Sequence, residues 1–168
     1  PALSVRDRKA AGPLMIEEKP MTKEVLLTIS GLHYDVFTGP EDEENEPIEV
    51  ITPATYYYKN RRHYILYEEV VEGFPGTIKN KIRISEAGML EIMKSGLSNL
   101  HMVFEKDKIN MTQYDTPYGE ILVGVYTKDM RVDVSEEEMD IRISYILDIN
   151  GEKVADSEIS MSVRSKQE

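Results

Sequence analysis

Cysteine is absent from the 168-residue chain, and with it go disulfides, thiolate nucleophiles, iron–sulfur clusters and thiolate zinc sites. Tryptophan is absent as well, and only three phenylalanines accompany ten tyrosines. Long apolar runs are missing: none approaches the roughly 20 residues that a helix needs to span a bilayer. Residues 1–20 also lack the apolar centre of a secretory signal. Cations are in deficit, with 20 Lys+Arg against 31 Asp+Glu and a formal charge of −11. A net negative surface repels phosphates at long range, which disfavours nucleic acid and anionic membranes as partners. Lack of cysteine fits a reducing compartment, so the expected location is cytoplasmic.

What remains is the composition of a globular domain, 40% hydrophobic and 30% charged. A chain of this length buries about 70% of its unfolded surface and can hold a core without staples. The first 20 residues stand apart. Arg6, Arg8, Lys9 and Lys19 against Asp7, Glu17 and Glu18 give them +1, which leaves −12 on the remainder. With Gly12, Pro13 and Pro20 they read as an N-terminal arm or an appended segment ahead of a single domain from Met21.

From Met21 onward the hydrophobic period is near two. Val25, Leu27 and Ile29 share one face of a strand over Lys23–Tyr34, with Thr28 and Ser30 on the other. The same reading gives strands over Pro47–Tyr58, Arg61–Val71, Thr77–Ser85, Met89–Lys94, Leu97–Lys106, Lys108–Tyr114, Glu120–Val134, Glu138–Ile149 and Lys153–Arg164. Pro53 signals a break, bulge or edge. Turn residues separate the strands, and Asn150-Gly151 is the strongest hairpin signal because both residues tolerate positive φ. Short strands at such spacing, without amphipathic helices between them, predict an all-β antiparallel barrel or sandwich; a barrel of eight to ten strands is expected.

The order of short motifs carries a resemblance. Tyr67-Glu68-Glu69, then Thr77-Ile78-Lys79, Lys94-Ser95-Gly96 and Met102-Val103-Phe104-Glu105-Lys106, followed by Thr116-Pro117-Tyr118-Gly119 and the hairpin from Ile143 through Asn150-Gly151 to Val163, resembles the YwiB-like proteins. The likeness spans about Met21 to Arg164 and implies a calycin-like (lipocalin-like) β-barrel and a bacterial origin. The family has no established activity. Where the family pattern has Arg, this chain has Lys94, which weakens any planar anion-binding role carried over to that position.

No catalytic residue is assigned, and the chain leans away from an enzyme. No serine sits in a nucleophile elbow, and there is no phosphate loop or dinucleotide fingerprint, so no cofactor is expected. His33, His63 and His101 lack the spacing of a metal site, and His101 is expected to face solvent. The acidic runs Glu41–Glu46 and Glu136–Glu138 read as solvated loops rather than a calcium site.

The candidate ligand-binding residues are Tyr67, Glu69, Lys81, Tyr118 and Tyr145. Tyr67 and Glu69 lie two apart on one face; if that face looks inward, the carboxylate needs a cation, for which Lys79, Lys81 and Arg83 are candidates. Glu69→Gln should then weaken ligand binding more than stability. The leading expectation is a protein that takes a small molecule in or at the mouth of its barrel. The alternative is a protein-interaction module with a filled barrel and acidic loops, in which arm-mediated homodimerisation stays open. A barrel hydrolase or isomerase ranks third. A cavity above about 300 Å³ with converging Tyr, Glu and Lys separates the first reading from the second.

Overall fold

In a computed structural model, residues 22–31, 48–97, 99–116 and 119–166 are described. The expected arm, the acidic run at 41–46, His33 and Tyr118 lie outside them. No helix among the described residues is long and apolar enough to cross a membrane.

The chain forms ten strands: β1 (Lys23–Gly31), β2 (Ile48–Lys59), β3 (Arg62–Val70), β4 (Thr77–Ser85), β5 (Met89–Gly96), β6 (Leu100–Glu105), β7 (Ile109–Thr116), β8 (Gly119–Val134), β9 (Glu138–Ile149) and β10 (Glu152–Ser165). They make one antiparallel sheet in the order β6-β5-β4-β3-β2-β1-β10-β9-β8-β7. Each strand therefore pairs with its neighbours in sequence, except that β6 and β7 do not pair with each other and β1 also pairs with β10. The two edge strands, β6 and β7, are consecutive, and the turn between them is tied to Thr127 of β8. Asp107 N–H donates to the Thr127 carbonyl at 2.8 Å, and Thr127 N–H returns to the Lys108 carbonyl at 3.1 Å. The result is a nearly closed β-barrel, which leaves little free edge for pairing with other chains.

Strand parity decides what fills it. Register pairs Val25 with Ala54, Ile65 with Ile82, and Val125 with Leu147. These positions, with Leu27, Leu90, Ile141, Ile143, Met161 and Val163, form one buried apolar core. Phe104 on β6 and Tyr145 on β9 meet edge to face with ring centroids 5.2 Å apart. Two strands separate β6 from β9 around the barrel, so this contact crosses the lumen and plugs its middle. Aromatic pairs of this geometry are favourable beyond their buried area.

Pro53 sits inside β2, opposite Leu26 of β1, at a level where β3 runs alongside but is not paired to β2; the β2–β3 ladder covers only Thr55 to Lys59. A residue without an N–H is tolerated at such a locally one-sided position. Gly96 closes the Lys94-Ser95-Gly96 motif with φ +106°, and a Cβ there would lie 2.5 Å from the Thr77 carbonyl oxygen. Only glycine fits both constraints.

The Asn150-Gly151 turn has φ of 53° and 88°, as expected for that pair. The β2–β3 turn does not announce itself so clearly: Asn60 and Arg61 adopt φ of 53° and 62°. A two-residue hairpin turn of this type needs positive φ at both positions, which costs a residue with a Cβ about 1–2 kcal/mol. Arg61→Gly is therefore expected to stabilise the barrel, by about 0.5 kcal/mol after glycine's larger unfolded-state entropy is deducted. A lower urea midpoint for the variant would contradict this account of the turn.

Candidate functional site

Both ends of the barrel carry polar groups on the inward face, and they differ in kind. At the end where β3 and β5 finish, Glu69, Asn80 and Lys94 converge. Lys94 Nζ donates to Asn80 Oδ1 at 2.8 Å and to Glu69 Oε1 at 3.1 Å, and Asn80 Nδ2 donates to Glu69 Oε1 at 2.9 Å. Register explains the meeting: Asn80 faces Tyr67 across β3–β4 and Lys94 across β4–β5. Burial, with the neighbouring Glu69 charge as a lesser cause, pushes the Tyr67 phenol far above its ordinary range.

The cation beside Glu69 is thus Lys94, and the expected partners Lys79, Lys81 and Arg83 are corrected. Register places Lys79 opposite Glu68 and Lys81 opposite Leu66, with Arg83 opposite Tyr64, all on the outer face. Lys81 therefore does not share the lumen with Tyr67 and Glu69. It lines an outer groove of about 760 Å³ together with Pro53, Leu66, Lys79 and Met93. Tyr145 is buried in the lumen beside Phe104, and burial raises its phenol, an effect the Ser157 hydroxyl partly opposes.

The opposite end, where β1 and β3 begin and β2 and β10 finish, holds the larger opportunity. A cavity of about 700 Å³ opens there, with Val25, Met139 and Val163 beneath and Lys23, Tyr56, Tyr58, Glu136, Glu137 and Ser165 around it. Its rim is tied down by hydrogen bonds. Lys23 Nζ donates to the Glu136 carbonyl at 3.0 Å, bridging β1 to the β8–β9 turn. Ser165 N–H donates to the Glu137 carbonyl at 3.0 Å, and Ser135 N–H to the Glu138 carbonyl at 2.8 Å. Arg164 pairs with the Glu138 carboxylate.

Tyr56 and Tyr58 alternate inward on β2 with Tyr57 between them, which instead stacks on Tyr64 outside at 4.6 Å. Tyr56 Oη and His63 Nδ1 lie 2.8 Å apart. The Tyr58 hydroxyl donates to the Glu86 carboxylate. That hydrogen bond, with burial adding to it, pushes the Tyr58 phenol up to about 12. Burial also raises Tyr56. Both rings therefore stay neutral phenols near neutral pH, unsuited to act as phenolate nucleophiles.

Burial lowers His63, against the weaker pull of Glu86. A base with a depressed folded pKa binds its proton more readily in the unfolded chain. Stability is thus expected to fall as pH drops through the unfolded value of about 6.5, and to level once pH passes the folded value. The difference in melting temperature between wild type and His63→Gln, followed from pH 7.5 to about 5.5, isolates this group. A constant difference would refute it.

Outside the barrel, Glu91 accepts from Arg83 at 2.6 Å and lies 2.9 Å from His101 Nε2. Burial pushes this carboxyl up, but Arg83 and His101 outweigh it and hold it low. His101 is on the outer face as expected, with a carboxylate partner that parity alone did not identify. Among the described residues no three His, Asp or Glu side chains converge as a metal site.

The mouth cavity had a partial signal in the sequence. The Tyr56-Tyr57-Tyr58 run could put two rings on one surface, but nothing local linked them to Lys23 or to the 135–138 turn. Comparison with known proteins bears on the scaffold. Residues 36–161 match the model of a domain of unknown function, DUF1934. The "Uncharacterized beta-barrel protein YwiB" of Bacillus subtilis (strain 168) is 28% identical over 139 residues, covering 83% of this chain and 89% of that protein. The crystal structure of the ywiB protein from Bacillus subtilis superposes with a TM-score of 0.69 at 23% identity, covering 87% of this chain and 94% of that one.

Proposed function

Since the chain belongs to the DUF1934 family, whose B. subtilis relative is an uncharacterised β-barrel protein, we propose that it is a binding protein that takes a small molecule at the mouth of its barrel. The observation that supports this reading is the cavity of about 700 Å³ in which two tyrosines, a lysine and glutamates stand over an apolar floor. Ligand sites are commonly of this size, mostly apolar with a few placed polar groups. The plugged lumen argues for the mouth over a through-going channel. Enzymatic turnover finds less support, because the Tyr56 and Tyr58 phenols at the mouth are raised and are poor nucleophiles near neutral pH.

The test is a thermal-shift screen of small amphiphiles on wild type and on Ser165→Trp, which places an indole in the mouth. Compounds that raise the melting temperature of wild type are expected to lose that effect in the variant. Equal shifts in both proteins would move the site elsewhere.

A second reading, a protein-interaction module, draws on the outer groove, where Lys79 and Lys81 flank Leu66 and Met93 and Leu26 and Ile51 stand exposed nearby on β1 and β2. It predicts partner binding that Lys79→Glu/Lys81→Glu abolishes and Ser165→Trp leaves intact.

A further inference from the structure

We propose that the mouth selects organic cations: a protonated amine or quaternary ammonium seated against the Tyr56 and Tyr58 rings and the Glu136–Glu137 carboxylates, with its apolar body on Val25, Met139 and Val163. This rests on the mouth being a ligand site and adds the chemical class of the ligand.

Three features of the cavity point the same way. The first is its charge. Glu136 and Glu137 line it, Glu86 lies behind Tyr58, and Glu138 is paired with Arg164. Lys23 is the one lysine lining it, and its ammonium is anchored on the Glu136 carbonyl. With His63 neutral, the carboxylates outnumber the cations, within a chain of net charge −11. An anionic ligand would meet repulsion both at long range and at the rim.

The second feature is aromatic. Tyr56 and Tyr58 line the cavity as neutral phenols, both rings packing on His63 at 5.9 and 4.9 Å, and cations bind aromatic faces with a strength that grows as water is excluded. Donating the Tyr58 hydroxyl to a carboxylate enriches the ring in electron density, which favours a cation further. The third is the floor. A strongly hydrated inorganic cation gains nothing from Val25, Met139 and Val163, whereas an amine with an apolar body buries surface there. Glutamates on the rim, tyrosine rings on one wall and hydrocarbon below are complementary to an amphiphilic cation.

The experiment compares two probes with one fluorophore, dansylcadaverine (cationic) and dansylglycine (anionic), titrated into the full chain. Dansylcadaverine is expected to bind at least about tenfold more tightly. Its preference should shrink in Glu136→Gln/Glu137→Gln and in Tyr58→Leu, and in about 0.5 M salt, where exposed charges are screened. The double Gln variant removes only exposed charges, so its fold is expected to be intact, and its melting temperature verifies that. Equal or tighter binding of dansylglycine, lost in Ser165→Trp, would overturn the cation preference while leaving the mouth as a site. Binding of neither probe, or binding that Ser165→Trp leaves unchanged, would overturn both.

Discussion

Phe104→Ala is expected to cost the barrel about 3–5 kcal/mol, the range for truncating a large aromatic in a core that cannot collapse around the gap. Phe104 has no exposed surface, and its ring reaches Tyr145 across the lumen. Phe104 lies on β6, an edge strand laddered only to β5, but its ring is enclosed by the core, so the ordinary range applies. For a domain of this size the loss corresponds to a fall in melting temperature of about 10 °C or more. The same truncation unplugs the middle of the lumen, and an apolar void of that kind binds small aromatics. Benzene should thus restore part of the lost melting temperature in Phe104→Ala while leaving wild type unchanged. A loss under about 1 kcal/mol in urea titrations would mean that the lumen is not plugged by this pair.

Lys94→Met is expected to cost about 2–3 kcal/mol, less than the 3–5 typical of a fully buried pair because Glu69 and Lys94 retain some exposure. The loss comes less from the missing attraction than from what stays behind. Glu69 keeps its hydrogen bond from Asn80 Nδ2 but loses the ammonium, and the Oδ1 of the buried Asn80 loses the donor at 2.8 Å. Replacing the whole cluster, as Glu69→Leu/Asn80→Leu/Lys94→Met, should therefore recover much of the stability that Lys94→Met loses. If the triple variant is less stable than the single one, the cluster contributes attraction in its own right. Glu69→Gln keeps the shape and an acceptor oxygen, so its cost should fall well below that of Lys94→Met.

Much of the architecture could be read before any coordinates, because a half-buried strand writes its inward face into every second residue. Val25, Leu27 and Ile29, or Ile141, Ile143 and Tyr145, announce both the strand and the side of it that is buried. The Asn60-Arg61 turn escaped notice because arginine seldom takes positive φ, and only the demand of a two-residue hairpin places it there. The inward polar cluster was half legible. Tyr67 and Glu69 plainly share a face, but the identity of the cation depends on register across two hairpins. The loop at 71–76 sets Glu69 opposite Ile78 and Glu68 opposite Lys79, and that single step of register turns Lys79, Lys81 and Arg83 outward. The mouth cavity was least visible, since it joins the start of β1, the end of β2 and the turn after β8. Residues so far apart in the chain share no local pattern.

That assembly has a kinetic consequence. All the ladders but one are hairpins between successive strands, and most of these need only a short loop to close. The exception joins the first strand to the last, setting Leu27 against Val163 and Val25 against Ser165. These are also residues of the seam beneath the mouth, so the cavity comes into being only when the two far ends of the fold have met. The closure entropy of that meeting is the largest single barrier in the topology. An occupant of the mouth would hold the β1–β10 seam shut, and its presence should be read most clearly in slower unfolding, as a clasp on the last strand pair to form and the first able to part.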